Sequence, residues 1–160
     1  MITEVVYTSP DPQLTYAAGR ELGQLLRGGD VVALHGPLGA GKTQFTKGLA
    51  AGLGVPPDEP VVSPTFVLMR EYAGRLRLYH LDAYRLSGAE ELRALGFDEI
   101  LAEADAVIAV EWAERVAEAV PAGAVHVEFA HIGELERRLR TTWSDRERLA
   151  RFGALLEPPA

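Results

Sequence analysis

Residues 36–43 read Gly-Pro-Leu-Gly-Ala-Gly-Lys-Thr, which fits the pattern G-x-x-x-x-G-K-[ST] of a phosphate-binding loop. Glycines at this spacing let the backbone wrap so that its N–H groups point inward at phosphate oxygens. A helix that follows such a loop offers its first amides and the positive end of its dipole to the same oxygens. Lys42 would set an ammonium between the β- and γ-phosphates of a nucleotide, and the Thr43 hydroxyl would take a magnesium ion. The chain has only two lysines, Lys42 and Lys47, against fourteen arginines. One of the two stands where the pattern requires it.

Such a loop works with a second acid near the metal, usually at the end of a neighbouring parallel strand. Two positions qualify. Glu111 closes the apolar run at 106–110, so its carboxylate would face the crevice beyond the strand ends. It would equally suit the start of a helix at Trp112, where acids are favoured. Asp82 closes a strand-like run within His80-Leu81-Asp82-Ala83-Tyr84-Arg85. It could coordinate a metal through water, orient an attacking water, or simply form a turn. His80 reads as a half-buried structural histidine, and Arg85 as a partner for Asp82 or another acid. Ser63-Pro64-Thr65-Phe66 offers a hydroxyl of the kind that senses a γ-phosphate in nucleotide switches; the same residues also suit a proline turn leading into a strand.

These residues need elements to hold them. Residues 2–8 are rich in β-branched types and read as an edge strand. Asp11 and Pro12 start a helix, with Asp11 capping and Pro12 where a missing N–H costs nothing. Leu14, Ala17, Ala18, Leu22, Leu25 and Leu26 share its inner face, and Gly28-Gly29 ends it. The apolar run 31–35 suits a buried central strand, and residues 42–53 resume helical spacing. Residues 66–72 and 75–81 read as a hairpin around Ala73-Gly74. Ser87 with Glu90 forms a capping box for a helix that runs to Gly96. Residues 106–110 predict a second buried strand, 112–120 a helix ended by Pro121, and 125–132 a strand. Residues 135–143 are read as its partner strand, although their pattern also admits a helix. A short amphipathic helix is expected over 145–156. Strands alternating with helices predict one α/β domain, residues 1–160, with a mixed sheet.

Composition limits the function. The chain has 160 residues, 48% hydrophobic and 24% charged, with a net charge of −7, which suits one globular domain and excludes a disordered chain. The acidic balance argues against autonomous binding of bare nucleic acid, which needs a basic surface. Cysteine is absent, so there is no disulfide framework, thiolate zinc site or cysteine nucleophile. No leader is visible at the N-terminus, and no apolar run approaches the ~20 residues of a membrane span. A cytoplasmic location is expected. Asparagine is also absent, so the N-K-x-D motif that reads guanine cannot exist here. The bias in composition fits a thermophilic source or a GC-rich genome equally well.

Together the phosphate loop, Ser63-Pro64-Thr65-Phe66, His80-Leu81-Asp82-Ala83-Tyr84-Arg85 and Glu111-Trp112 occur in an order and spacing that resembles the TsaE family (also called YjeE). These are small bacterial P-loop ATPases that support threonylcarbamoyladenosine modification of tRNA. The likeness runs from about Asp11 to about Thr142. It implies a P-loop NTPase-like three-layer domain with a mixed, mainly parallel sheet and a hairpin insertion. It implies ATP bound by Gly36, Pro37, Leu38, Gly39, Ala40, Gly41, Lys42 and Thr43, with Thr43 and Glu111 as magnesium ligands. Asp82 would be needed for hydrolysis, with a possible share in the metal. Thr65 would sit on the switch-like loop, Trp112 beside the site, Thr15 near the nucleotide, and Arg137 would reach in from the C-terminal segment. The family's partners are the TsaB and TsaD proteins, with TsaC supplying threonylcarbamoyl-adenylate and TsaD transferring the group to tRNA. This chain would then meet tRNA only through that complex.

Two rival functions remain open on the residues alone. A small P-loop kinase acting on a nucleotide or metabolite would need an acceptor pocket and an arginine-bearing lid; residues 85–93 carry acids rather than clustered arginines. A non-catalytic binding module would keep the loop as a relic.

Overall fold

A computed structural model describes residues 2–37, 39–61 and 69–156. Leu38 and the whole Ser63-Pro64-Thr65-Phe66 segment, Thr65 included, lie outside the described residues. The described strands form one seven-stranded sheet in the order β1-β7-β6-β2-β5-β4-β3. They are β1 (Val5–Ser9), β2 (Val31–His35), β3 (Met69–Tyr72), β4 (Arg77–Asp82), β5 (Ala106–Glu111), β6 (Val125–His131) and β7 (Arg137–Thr142). The helices are α1 (Pro12–Leu25), α2 (Lys42–Gly52), α3 (Ala89–Ala94), α4 (Phe97–Leu101) and α5 (Arg146–Leu156), with a 3-10 segment over Ala113–Ala119.

The four central strands β6, β2, β5 and β4 are parallel, while β1, β7 and β3 run antiparallel to their neighbours. The hairpin expected before Asp82 is β3–β4, and its second strand also belongs to the parallel core. Residues 135–143 supply the strand β7, not a helix. In β2, Val32 and Leu34 join one core with α1, α2 and α5, whereas Val31 and Ala33 join another with α3, α4 and the 3-10 segment. Burial on both faces explains why β2 and β5 are continuous apolar runs in the sequence.

Local chemistry sets the ends of α1. The Asp11 carboxylate accepts from Leu14 N at 3.0 Å, and Pro12 occupies the first turn. At its other end the helix stops at Leu25, ahead of Gly28-Gly29. Leu26 is already extended, and the Asp30 carboxylate accepts from Arg27 N at 2.6 Å. A hydrogen bond two residues beyond the helix thus outcompetes further winding. Ser87 is engaged by Glu91 rather than by Glu90, and the α3 cap itself is Gly88. The expected helix over 112–120 is a 3-10 segment kinked at Val116. Trp112 takes a left-handed backbone (φ 58°), so the chain leaves β5 through a turn that α-helical geometry cannot continue.

Helices α1 and α2 pack closely on one another. Side chains are absent where these helices cross, at Gly19 and Gly23 on one and at Gly48 and Gly52 on the other. A Cβ on Gly48 would lie 1.9 Å from Tyr16 O, and one on Gly19 would lie 2.0 Å from Phe45 O. Backbone therefore rests on backbone, which fixes the helix that follows the phosphate loop. At the far edge α5 is anchored by Arg148. Its guanidinium donates to Asp30 at 2.6 Å, to Asp145 at 2.7 Å and to Leu25 O at 3.1 Å, and lies over Trp143. Among the described residues no helix is long and apolar enough to cross a membrane.

Candidate functional site

The phosphate loop joins the end of β2 to the start of α2. Gly36, Gly39 and Gly41 all have positive φ, at 143°, 76° and 103°, which suits glycine at the two positions the pattern fixes, 36 and 41, and at Gly39 between them. Gly41 is also the N-cap of α2 and makes no side-chain cap. The first amides of α2 are therefore left without a capping side chain, and the helix dipole adds to their preference for an anion. Ala40 is buried, and its N–H donates to Pro37 O at 3.2 Å, closing the loop on itself.

Lys42 is buried at the head of α2. Its Nζ donates to Gly36 O at 2.6 Å and lies 3.9 Å from the centre of the Trp112 ring. Burial pulls the ammonium below its ordinary range, while the carboxylates of Glu111, Glu114 and Asp82 oppose that shift. Tyr84 packs against Trp112 with ring centres 5.0 Å apart, and the Arg115 guanidinium lies 5.1 Å over Tyr84. Sequence reasoning missed Tyr84 and Arg115. The only signal for Tyr84 was its place two residues after Asp82.

Parallel register brings the two acids together. Asp82 ends β4, Glu111 ends β5, and the two are direct partners across the strands. Both are about 95% buried. Asp82 Oδ1 accepts from Tyr84 N at 2.9 Å, so Asp82 does form the turn that was one of its readings, while still lining the site. Glu111 Oε2 lies 2.7 Å from His80 Nε2. His80 is fully buried, rather than half-buried as its sequence suggested, because β4 is covered on both faces.

A cavity of about 630 Å³ opens between the loop and these acids. Thr15, Gly39, Gly41, Lys42, Thr43, Asp82, Glu111, Trp112 and Arg137 line it, together with Pro12, Gln44, Tyr84, Arg85 and Leu135. Gly36, Pro37 and Ala40 shape the loop without lining the cavity. Thr15 is buried with its hydroxyl 2.7 Å from Ser9 Oγ, and its methyl faces Gly41. Arg137 stands at the cavity with its guanidinium engaged by carbonyls: Gly39 O at 3.1 Å, Glu136 O at 2.8 Å, Gly133 O at 3.1 Å and Glu134 O at 3.2 Å. It therefore ties the β6–β7 turn to the phosphate loop. Among the described residues no three His, Cys, Asp or Glu side chains gather as a metal cage. Thr43, Glu111 and Asp82 instead offer the few hard oxygens that suit magnesium, which fills its remaining positions with water and substrate phosphate.

Behind the loop, His35 Nε2 lies 3.0 Å from His126 Nδ1 and His35 Nδ1 lies 3.1 Å from Glu114 Oε2. Burial, and then the neighbouring His35, hold His126 below the usual imidazole range, with Glu128 pulling the other way. In the unfolded chain His126 would regain the ordinary value of 6.5 and take up a proton there. The folded state resists that proton, so its stability is intact above this value and falls as the pH drops through it. We expect the urea midpoint to decline from about pH 7.5 to about pH 5.5, and His126→Gln to flatten that slope. An unaltered slope would acquit His126.

Comparison with known proteins agrees with this architecture. The family model for "Threonylcarbamoyl adenosine biosynthesis protein TsaE" matches residues 9–139. The tRNA threonylcarbamoyladenosine biosynthesis protein TsaE of Treponema pallidum is 42% identical over 131 residues, covering 82% of this chain and 95% of that protein. Its Bacillus subtilis counterpart is 38% identical over 140 residues, covering 87% and 85%. The crystal structure of Bacillus subtilis YdiB superposes with a TM-score of 0.78 at 34% identity and covers 96% of each chain. A glycine loop, two register-paired acids and a family match over most of the sequence lead to one assignment: the chain belongs to the TsaE family of tRNA threonylcarbamoyladenosine biosynthesis proteins.

Proposed function

We propose that this protein binds ATP with magnesium at the phosphate loop and hydrolyses it slowly. We propose further that it uses the nucleotide cycle to dock on, and reset, a TsaB–TsaD complex during tRNA modification in the cytoplasm. The observation that carries the reading is the meeting of Lys42 at the head of α2 with Asp82 and Glu111 on paired strand ends. Loop amides and the Lys42 ammonium bind the phosphates. Thr43 and Glu111 would hold magnesium, which when bound offsets phosphate charge. Asp82 would orient the attacking water. Trp112 and Tyr84 wall the cavity opposite the loop.

Phosphoryl transfer rests on positioning and charge neutralisation. Arg137, the arginine that reaches the phosphate loop, is taken up by carbonyls rather than left to the γ-phosphate. Hydrolysis by the isolated chain is therefore expected on the order of 10⁻³–10⁻² s⁻¹, as for unassisted P-loop NTPases, and partner addition should change it. The test is phosphate release with no added acceptor, paired with capture of TsaB–TsaD in ATP, ADP or no nucleotide. Slow release and nucleotide-dependent capture are expected. Many turnovers per second by the chain alone, or capture indifferent to nucleotide, would overturn the reading.

ATP should also report its own arrival. Phosphates draw the Lys42 ammonium off the Trp112 ring, so tryptophan emission should change on titration. The other tryptophan, Trp143, is buried under Arg148. The change should persist in Trp143→Phe and vanish in Trp112→Phe; the opposite pattern would contradict the contact between Lys42 and Trp112.

A further inference from the structure

His80 is left unused by this account of the site, yet it is placed with care. It lies on β4 two residues before Asp82, so both side chains share one face of the sheet. Its register partner on β5 is Ala109, two residues before Glu111. A methyl group at 109 leaves room for the imidazole to lean diagonally across the strands to the carboxylate, where Nε2 meets Glu111 Oε2 at 2.7 Å. Since a carboxylate only accepts, Nε2 carries the proton and donates it.

The other ring nitrogen reveals why a histidine stands here. Nδ1 is buried and has no hydrogen-bond partner among the described residues. An unpaired polar atom in a core is unfavourable, and the same face of β4 continues into the core as Leu78. Leucine or phenylalanine would fill this position with no such penalty. The feature that a histidine adds is the Nε2–H donor to Glu111.

We infer that His80 is a positioning residue: it fixes the Glu111 carboxylate through Oε2 and so presents Oε1 to the magnesium of bound nucleotide. The inference rests on the proposed metal role of Glu111. A glutamate side chain without such a partner samples several rotamers, and hydrogen bonds that orient a ligand carboxylate typically account for ~10–100-fold in metal affinity.

The test compares His80→Met with His80→Gln. The two replacements are matched in length and differ in the amide donor. His80→Leu serves as a second apolar variant, and all are checked for a cooperative melt. ATP affinity is measured calorimetrically with and without magnesium, alongside wild type and Glu111→Gln. His80→Met should lose roughly tenfold or more of the magnesium-dependent gain in affinity, with metal-free affinity unchanged, and His80→Gln should recover most of it. Full retention of the gain in His80→Met or His80→Leu while Glu111→Gln loses it would overturn the inference alone. An equal loss with and without magnesium, or no recovery in His80→Gln, would reduce His80 to a packing residue and overturn it too. Retention of the gain in Glu111→Gln would instead overturn the metal role of Glu111, and the inference with it.

Discussion

Lys42→Ala is expected to weaken ATP binding by roughly 100-fold, whether or not magnesium is present. A hydrogen bond from an ammonium to a phosphate contributes about 1.5–3 kcal/mol, and each ~1.4 kcal/mol is tenfold. This ammonium is already held beside the loop, by Gly36 O and by the face of Trp112, and has only to move off the ring when phosphate arrives. Three carboxylates around it, Glu111, Glu114 and Asp82, favour its charged form; removing the cation leaves their negative charge uncompensated to repel an incoming polyanion. Glu111→Ala should behave differently. Its metal-free affinity should stay near wild type, whereas the magnesium-dependent gain and hydrolysis should fall. Calorimetry with and without magnesium separates the two. Equal losses in both variants, independent of metal, would count against the role given to Glu111.

Gly48→Ala should be strongly destabilising although it lies away from the cavity. Its Cβ would sit 1.9 Å from Tyr16 O and 2.9 Å from Arg20 N. These are backbone atoms in a neighbouring helix, so no rotamer change relieves the clash and α1 must move off α2. Overpacking of this kind costs about 3 kcal/mol, a large share of the ~5–15 kcal/mol that holds a typical domain together. The melting midpoint should drop by roughly 10 °C. Gly123→Ala is the control, since a Cβ there meets nothing within 4 Å. A Gly48→Ala midpoint within about 2 °C of that control would refute the close approach.

What the sequence disclosed and what it concealed divide along a physical line. The phosphate loop was legible because its glycines answer a local demand for positive φ, and local demands are written in consecutive residues. Glu111 and Asp82 were legible because each interrupts an apolar run at the point where a buried strand emerges. The pairing of those two acids with each other was not legible, since register between β4 and β5 is a property of two distant segments. The same holds for His80, whose bond to Glu111 spans 31 positions, and for the contact of Trp112 with Lys42. The glycines at 19, 23, 48 and 52 were in plain view at four-residue spacing, but their purpose appears only when the two helices face each other. The 3-10 segment was read as an α-helix because its alanines and valines satisfy helical spacing. Nothing in residue type announced the left-handed backbone of Trp112.

One consequence of the register reaches past catalysis. Strands β4 and β5 are buried on both sides, so grease alone distinguishes poorly between one alignment of the pair and the next. Sliding β4 by a single position would swing its imidazole and aspartate to the opposite layer, stranding Glu111 in hydrocarbon with no donor. The groups proposed to serve the nucleotide thereby also act as a key that admits one alignment during folding.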